Sequence, residues 1–375
     1  MMHLPALEDL PPLDGARVLV RVDFNVPLAH EEHGFVVTDE FRIRAALPTL
    51  EYLVGAGASV TCITHLGRPD GHVVPELSVL PLRVVLDRLI EGVELRENLR
   101  FDPREEANDP GFVDELCAGF DAYVNDAFGV SHRAHASIVG PPTRLPSAAG
   151  RLVAAEVEVC SRLMVAPARP FVAVVGGAKV ADKLGVLRAL STKVDQLIVG
   201  GGMAFTFLAA TGHGVGDSLL DPTKIDACRE LLAGPAEILL PTDVIALGSG
   251  GEVRHFAAEI PEGFCGLDIG DESAKRFSEA ISRASTILWN GPMGKFEDER
   301  FASGTRTVAE AVATAPGFTV VGGGDSAAAV DALGLEDEID YVSTGGGATL
   351  ELIEDGDLVG LAALRSSADR SPGRS

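Results

Sequence analysis

Lysine is scarce: the 375-residue chain has six, and none precedes Lys179. Fixed positive charge in the first half therefore has to come from arginine, whose planar fork suits bidentate capture of phosphate or carboxylate. Positive charge is short overall as well, 31 Lys and Arg against 55 Asp and Glu, a formal net charge of −24. A field of that sign repels polyanions, so nucleic acid and anionic membranes are excluded as partners. The acidity serves solubility or life in a salty cytoplasm.

Cysteine is sparse and scattered. Cys62, Cys117, Cys160, Cys228 and Cys265 form no CxxC, which excludes a disulfide framework or a zinc ribbon and makes them small reduced core residues. No apolar run reaches the ~18 residues of a membrane helix. The amino-terminal MMHLPALEDL has no basic region followed by an apolar stretch, so the expectation is a soluble, cytoplasmic protein. Two phosphate fingerprints are also missing. In GPMGKFE, Lys295 is followed by Phe296 where a Walker A loop needs Ser or Thr, and Trp289 stands where it needs Gly. No GxGxxG opens a helix after a strand, which argues against a dinucleotide-dependent dehydrogenase.

At 46% hydrophobic, the chain has enough length and apolar content for two lobes. ARVLVRVDFNV ends at Pro27, which places Asp23 and Asn25 at the carboxyl end of a strand, where open α/β sheets keep ligands. A helix is expected next, capped by Thr38 and carrying Arg42 and Arg44, with Pro48 forcing a kink or a late start. Further strands close on His65 and Arg68, on Arg100, and on His132, Arg133 and His135. The pattern would collect Arg42, Arg68, Arg100 and Arg133 on one rim, fit for a small, doubly anionic substrate. His132 and His135 have no third ligand spaced nearby, so they read as satisfied loop histidines, and His65 as one or as a substrate contact.

A helical pattern over 147–165, between proline-rich turns, reads as an interdomain connector. Beyond it lie FVAVVGGAKVADK, QLIVGGGMAFTFL, TVVGGGDSAAAV and DYVSTGGGATLELI, each a strand, a glycine cluster and a helix. Such turns on one sheet edge would offer backbone amides to a nucleotide. Lys179 and Lys183, four apart, are expected on one face of the helix after Gly176-Gly177, a phosphate site reinforced by the helix N-terminus. Asp325 can hold a magnesium ion or act as a plain N-cap, and Glu297 can accept from a ribose hydroxyl or be a surface acid. GSGGEVRHFAAEIPEGF reads as loop, and the chain past Arg365 as a polar, fraying tail.

RVDFNVP, THLGRPDG, ENLRF, YVNDAFGVSHRAHAS, GGAKVADK, IVGGGMAFTF, LWNGPMGKFE, VGGGDS and STGGGATLEL together resemble the phosphoglycerate kinase family, from about Arg17 to Arg365. The resemblance implies an α/β fold of two doubly wound parallel-sheet (Rossmann-like) domains joined by a hinge helix. The amino-terminal, phosphoglycerate-binding domain would be 1–146 plus about 357–375, the interdomain helix 147–166 and the nucleotide-binding domain 167–356. It implies a monomeric, hinge-bending enzyme that moves a phosphoryl group between 1,3-bisphosphoglycerate and ADP, with Mg2+ riding on ATP or ADP. Substrate contacts then fall on Asp23, Phe24, Asn25, Arg42, His65, Leu66, Gly67, Arg68, Arg100 and Arg133. Nucleotide contacts fall on Lys183, Gly266, Glu297, Gly323, Gly324, Asp325 and Ser326, with Asp325 serving the metal. Arg42, Lys179 and Lys183 would be the catalytic cations.

Overall fold

A computed structural model describes residues 3–32 and 34–368 of the chain. It divides into two compact units, one made of the chain up to Ser161 and from Asp355 onward, the other Arg162–Glu354.

The first unit holds β1 (Arg17–Val22), a hairpin of β2 (Leu28–Glu31) and β3 (Gly34–Val37), then β4 (Ser59–Ile63), β5 (Val93–Leu95), β6 (Ala122–Asp126) and β7 (Ser147–Ala149). Apart from the hairpin, these strands form one sheet in the order β5-β4-β1-β6-β7, parallel throughout. β1 is RVLVRV because both its faces are covered. Val18, Val20 and Val22 point to one side and pack with Leu50, Leu53 and Leu86, each worth about 1.5–3 kcal/mol when fully buried. Leu19 and Arg21 alternate to the other side, both fully buried. Strand order reverses between β1 and β6, so the loops after these two strands diverge and leave a crevice at the carboxyl edge.

Local details depart from the sequence-based expectation. The helix after β3 is two pieces, Phe41–Ala45 and Leu47–Gly55, with Pro48 in the first turn of the second, where its missing N–H is harmless. Thr38 does not cap the first piece; its hydroxyl donates to the Pro27 carbonyl at 3.3 Å, and Asp39 takes the Phe41 amide at 2.7 Å. Residues 147–149, expected to open a helix, form β7, because β6 presents a free ladder edge to them. The helix proper is Arg151–Val165. Its first amides are held by the fully buried Asp126, whose Oδ1 accepts from Leu152 N at 3.0 Å and Val153 N at 3.4 Å. Burial raises the Asp126 carboxyl to about 7, against the hydrogen bonds that lower it.

A Cβ on Gly150 would lie 2.1 Å from Asp126 Oδ1. Gly150→Ala should therefore lower stability by about 1–3 kcal/mol through overpacking. An unchanged urea midpoint would show that the Asp126 cap can move aside. The helix Val359–Ala368 packs in this unit, its Gly360 amide donating to Ser131 O at 2.8 Å. The chain thus stays helical past Arg365, where fraying was expected; residues 369–375 lie outside the described residues.

The second unit holds β8 (Phe171–Val175), β9 (Gln196–Val199), β10 (Glu237–Leu239), β11 (Asp243–Gly248), β12 (Val253–Ala257), β13 (Phe264–Ile269), β14 (Thr286–Asn290), β15 (Phe318–Gly322) and β16 (Tyr341–Val342). Its main sheet runs β10-β9-β8-β14-β15-β16, all parallel. The reversal point here is β8/β14. The stretch read as loop is instead part of an antiparallel sheet, β12-β11-β13, in which Val253 to Ala257 pair with β11. Four of the five residues of β12 are exposed and VRHFA does not alternate apolar with polar, so no strand pattern marked it.

Candidate functional site

Each unit carries a cluster at the carboxyl edge of its parallel sheet. In the first, Asp23 follows β1 and accepts from Arg42 Nη1 at 2.8 Å, with its side chain only 5% exposed. Burial pulls the Asp23 carboxyl upward, but the Arg42 and Arg21 guanidinium groups hold it below its usual range. The Asn25 side chain takes the Gly67 amide at 2.9 Å, pinning a turn in which Gly67 has φ +62. Only glycine adopts that angle freely. Arg100 Nη1 donates to the Gly67 carbonyl at 2.9 Å, and its Nε lies 3.1 Å from Glu106. Asn98 fixes the same turn from below, accepting the Leu66 amide at 3.2 Å and donating to the Leu66 carbonyl at 2.7 Å.

The four arginines expected on the rim therefore differ. Arg42 and Arg100 are tethered by protein groups, whereas Arg68 and Arg133 are exposed and have no side-chain partner among the described residues. Phe24 and Leu66 are core residues, 0% and 2% exposed, so they can offer a ligand only their backbone. His65 is 3% exposed. Burial, with Arg21, Arg100 and Arg42 nearby, drives its pKa to about 3 despite Asp23, so the ring is neutral.

In the second unit the glycine turn after β8 and the loop after β14 are laced together. The Gly176 amide donates to Asn290 O at 2.9 Å, Gly177 N to Pro292 O at 3.2 Å and Gly201 N to Met293 O at 3.0 Å. A Cβ on Gly176 would lie 2.0 Å from Pro292 O, so backbone approaches backbone at a distance only glycine permits. Into this junction Lys183 sends its ammonium, donating to Gly176 O at 2.7 Å, Asn290 O at 3.2 Å and Asn290 Oδ1 at 2.6 Å. Asn290 Nδ2 in turn donates to Gly322 O at 2.8 Å. Burial pushes the Lys183 pKa down to about 8, while Asp325 and Asp182 pull it back up.

The two lysines are not stacked on a helix. Gly177 takes φ +121, Ala181–Lys183 is a 3-10 turn and the α-helix is Leu184–Ser191, so Lys179 sits in the preceding loop, exposed. The glycine pair that lets the loop approach β14 also delays the helix past both lysines. Lys179 instead borders a cleft of about 250 Å³ lined by Ala178, Val180, Thr206, Leu219, Leu220 and Pro222.

Gly323, with φ +97, is the N-cap of the helix Gly324–Leu333, whose first turn carries an exposed Asp325. Ser326 is buried, and its Oγ accepts the Gly291 amide at 2.5 Å. Gly266 lies on β13 against Phe205, whose ring a Cβ would meet at 2.3 Å. The Lys295 amide donates to Leu267 O at 2.8 Å, which ties β13 to the loop bearing the exposed Glu297. Sequence reasoning missed Asn290, Asn98 and the cleft-lining Leu219 and Leu220. Asn290 did leave a trace, as the polar end of an otherwise apolar strand, TILWN, just before a glycine turn.

A family model described as "Phosphoglycerate kinase" matches residues 7–95 and 90–356. A protein of that name from Parafrankia sp. (strain EAN1pec) is 50% identical over 388 residues, covering 93% of this chain and 97% of its own length. Another from Moorella thermoacetica is 48% identical, with 96% and 98% covered. The solved structure of phosphoglycerate kinase from Coxiella burnetii superposes with a TM-score of 0.87 at 35% identity, over 98% of this chain and all of the other. That from Pyrococcus horikoshii OT3 gives 0.85 at 29% identity, also over 98% of this chain. With matches of this extent, on a fold whose two sheet edges carry an arginine rim and a half-buried lysine among glycine turns, the chain belongs to the phosphoglycerate kinase family.

Proposed function

We propose that the chain is a kinase catalysing reversible phosphoryl transfer from 1,3-bisphosphoglycerate to ADP, giving ATP and 3-phosphoglycerate, a step of glycolysis. The observation that carries the reading is Lys183: an ammonium held by three protein oxygens at the sheet's reversal point, among glycine turns, with Asp325 close enough to influence its titration. The cleft beside Lys179 suits the flat face of a nucleobase, and the amides of Gly323 to Ser326 suit its phosphates. The substrate's phosphate and carboxylate would fall to Arg68 and Arg133, which are exposed, with Asn25, His65, Gly67 and Arg100, while Asp23, an acceptor only, would take the substrate's hydroxyl.

In the ATP-consuming direction the acceptor is a carboxylate, already ionised at neutral pH, so no general base is needed. Positioning and charge neutralisation are what the protein supplies. Arg42 and Lys183 are the groups assigned to the charge that develops on the transferring phosphoryl. One exposed carboxylate, Asp325, beside a nucleotide site matches the sparse protein ligation that magnesium takes when phosphates supply its other oxygens. Bound there, the ion would neutralise phosphate charge.

Transfer needs both bound partners at once, and closure about a hinge at 147–166, between a substrate domain of 1–146 plus about 357–375 and a nucleotide domain of 167–356, is part of this proposal. So is action as a cytoplasmic monomer; among the described residues no helix is long and apolar enough to cross a membrane. The test is ATP formation from ADP and 1,3-bisphosphoglycerate by purified protein, with and without a chelator. Activity with the bisphosphoglycerate, lost in chelator and absent with acetyl phosphate, supports the reading, and no ATP formation overturns it.

A pH dependence follows from Lys183. Its folded-state pKa lies near 8, below the ordinary lysine value, so the positive charge is complete on the acid side and is lost as pH rises through about 8. The kcat/KM for nucleotide, which reports groups of the free enzyme, is expected to fall along an alkaline limb with a midpoint near 8. A flat profile to about pH 10 would show the ammonium to be less desolvated than its surroundings imply.

A further inference from the structure

Behind the arginine rim lies a chain of polar groups sealed from solvent. Arg21, Glu105, Ser137 and Tyr123 are all 0% exposed. Arg21 Nε donates to Ser137 Oγ at 2.8 Å, and that hydroxyl donates to Glu105 Oε1 at 2.6 Å. The Ser137 amide donates to Glu105 Oε2 at 2.9 Å, and the Tyr123 hydroxyl donates to the Ser137 carbonyl at 2.7 Å. Arg21 Nη1 donates to the Val22 carbonyl. Ser137 thus bridges Arg21 and Glu105, two buried ionisable groups that do not touch. Burial raises the Glu105 carboxyl while Arg21 and the Ser137 hydrogen bonds oppose that rise, and each charge needs the other because an isolated buried charge is costly.

The remaining arm of Arg21 reaches His65, with Nη2 at 3.4 Å from Nδ1. Arginine has donors and no acceptor, so this nitrogen of His65 must present its lone pair. Asp23 Oδ1, the alternative partner of Nδ1, is 3.8 Å away, beyond hydrogen-bond range. The proton of the neutral ring is then on Nε2, the one donor left for a bound ligand. The charged groups around the ring are Arg21, Arg42 and Arg100, which oppose its protonation, and Asp23, which favours it.

We propose that Glu105, acting through Ser137 and Arg21, is the positioning residue that fixes His65 as a neutral Nε2–H tautomer, so that the substrate meets an uncharged hydrogen-bond donor. The assignment rests on the substrate reading of this rim. It explains why a strand whose other buried positions are Val and Leu spends one on Arg21, and why a fully buried glutamate sits behind an anion site without cancelling it.

The test is long-range 15N–1H correlation of the histidine rings in the wild-type chain, with the His65 signals identified by their loss in His65→Gln. The expected result is the Nε2–H pattern, unchanged from about pH 5.5 to 8.5. An Nδ1–H pattern, or titration inside that window, overturns the proposal. In Ser137→Ala the His65 tautomers should mix and the KM for 3-phosphoglycerate rise about tenfold, while the KM for ATP holds. Glu105→Gln should act in the same direction. A folded Ser137→Ala protein with the wild-type ring pattern and KM also overturns it; if that variant does not fold, the wild-type spectrum decides. The spectrum needs no turnover, so a protein inactive on 3-phosphoglycerate would refute the substrate reading while leaving the tautomer measured.

Discussion

Replacing Lys183 with alanine lowers kcat by about 10²–10³-fold, the cost of deleting one preorganised electrostatic donor, and raises the nucleotide KM by much less. The expectation rests on how completely the ammonium is held: three donors, three oxygens, at 2.7, 3.2 and 2.6 Å. A group fixed this firmly before the reaction needs no reorganisation as charge builds on the transferring phosphoryl. Arginine should not rescue it. A Cβ on Gly291 would lie only 2.7 Å from Nζ, so the pocket is closed around a compact ammonium and has no room for a planar fork. Alanine also leaves the Gly176 carbonyl without this partner, which adds about 1–3 kcal/mol of instability. Steady-state kinetics alongside a urea titration separate the two effects. A stable variant with normal kcat would remove Lys183 from the mechanism.

The second large effect is expected at Arg42. Alanine there should cut kcat by about 10²-fold or more while the KM for 3-phosphoglycerate changes less than about tenfold, because the guanidinium serves a charge that peaks in the transition state. Equal losses in kcat and kcat/KM with an unchanged KM would fit the role best, and a loss confined to KM would place Arg42 in ground-state binding. The structure adds a consequence for Asp23. Burial raises that carboxyl, while Arg42 is first among the cations that lower it, so its depressed folded-state pKa stabilises the protein above the unfolded carboxylate range and the benefit is lost as pH falls. Without Arg42 the depression shrinks, and acid unfolding should begin at a higher pH than in the wild type. A pH series of urea midpoints reads this directly.

Much of the fold was legible because a parallel strand buried on both faces has to be written in Val, Ile and Leu and has to stop at a polar or glycine turn. RVLVRV, FVAVV and TILWN could hardly be anything else. The glycine clusters marked the carboxyl edge of the second unit's sheet, and the Asp23, His65 and Arg100 positions marked that of the first. Pro48 marked a helix break that is there. The errors came where a local pattern had two solutions. SAAG before a helix reads as its first turn until a neighbouring strand offers hydrogen bonds, and VRHFA reads as loop until β11 lies beside it.

The lysine pair shows the same limit at the site itself. Spacing of four means one helical face only if the helix has begun, and here Gly177 keeps the backbone out of the α region so that Lys183 turns back toward β14. Its partner Asn290 is 107 positions away, and Ser137 is 116 from Arg21. The sequence by itself determined the central parallel strands, the cations available to each unit and the loops that carry them. The tertiary structure alone decided which cation is tethered, which is free and which is held ready by oxygens from another strand. Periodicity records what lies within a turn or two along the chain, whereas a parallel sheet joins residues through its strand order, which no local pattern carries.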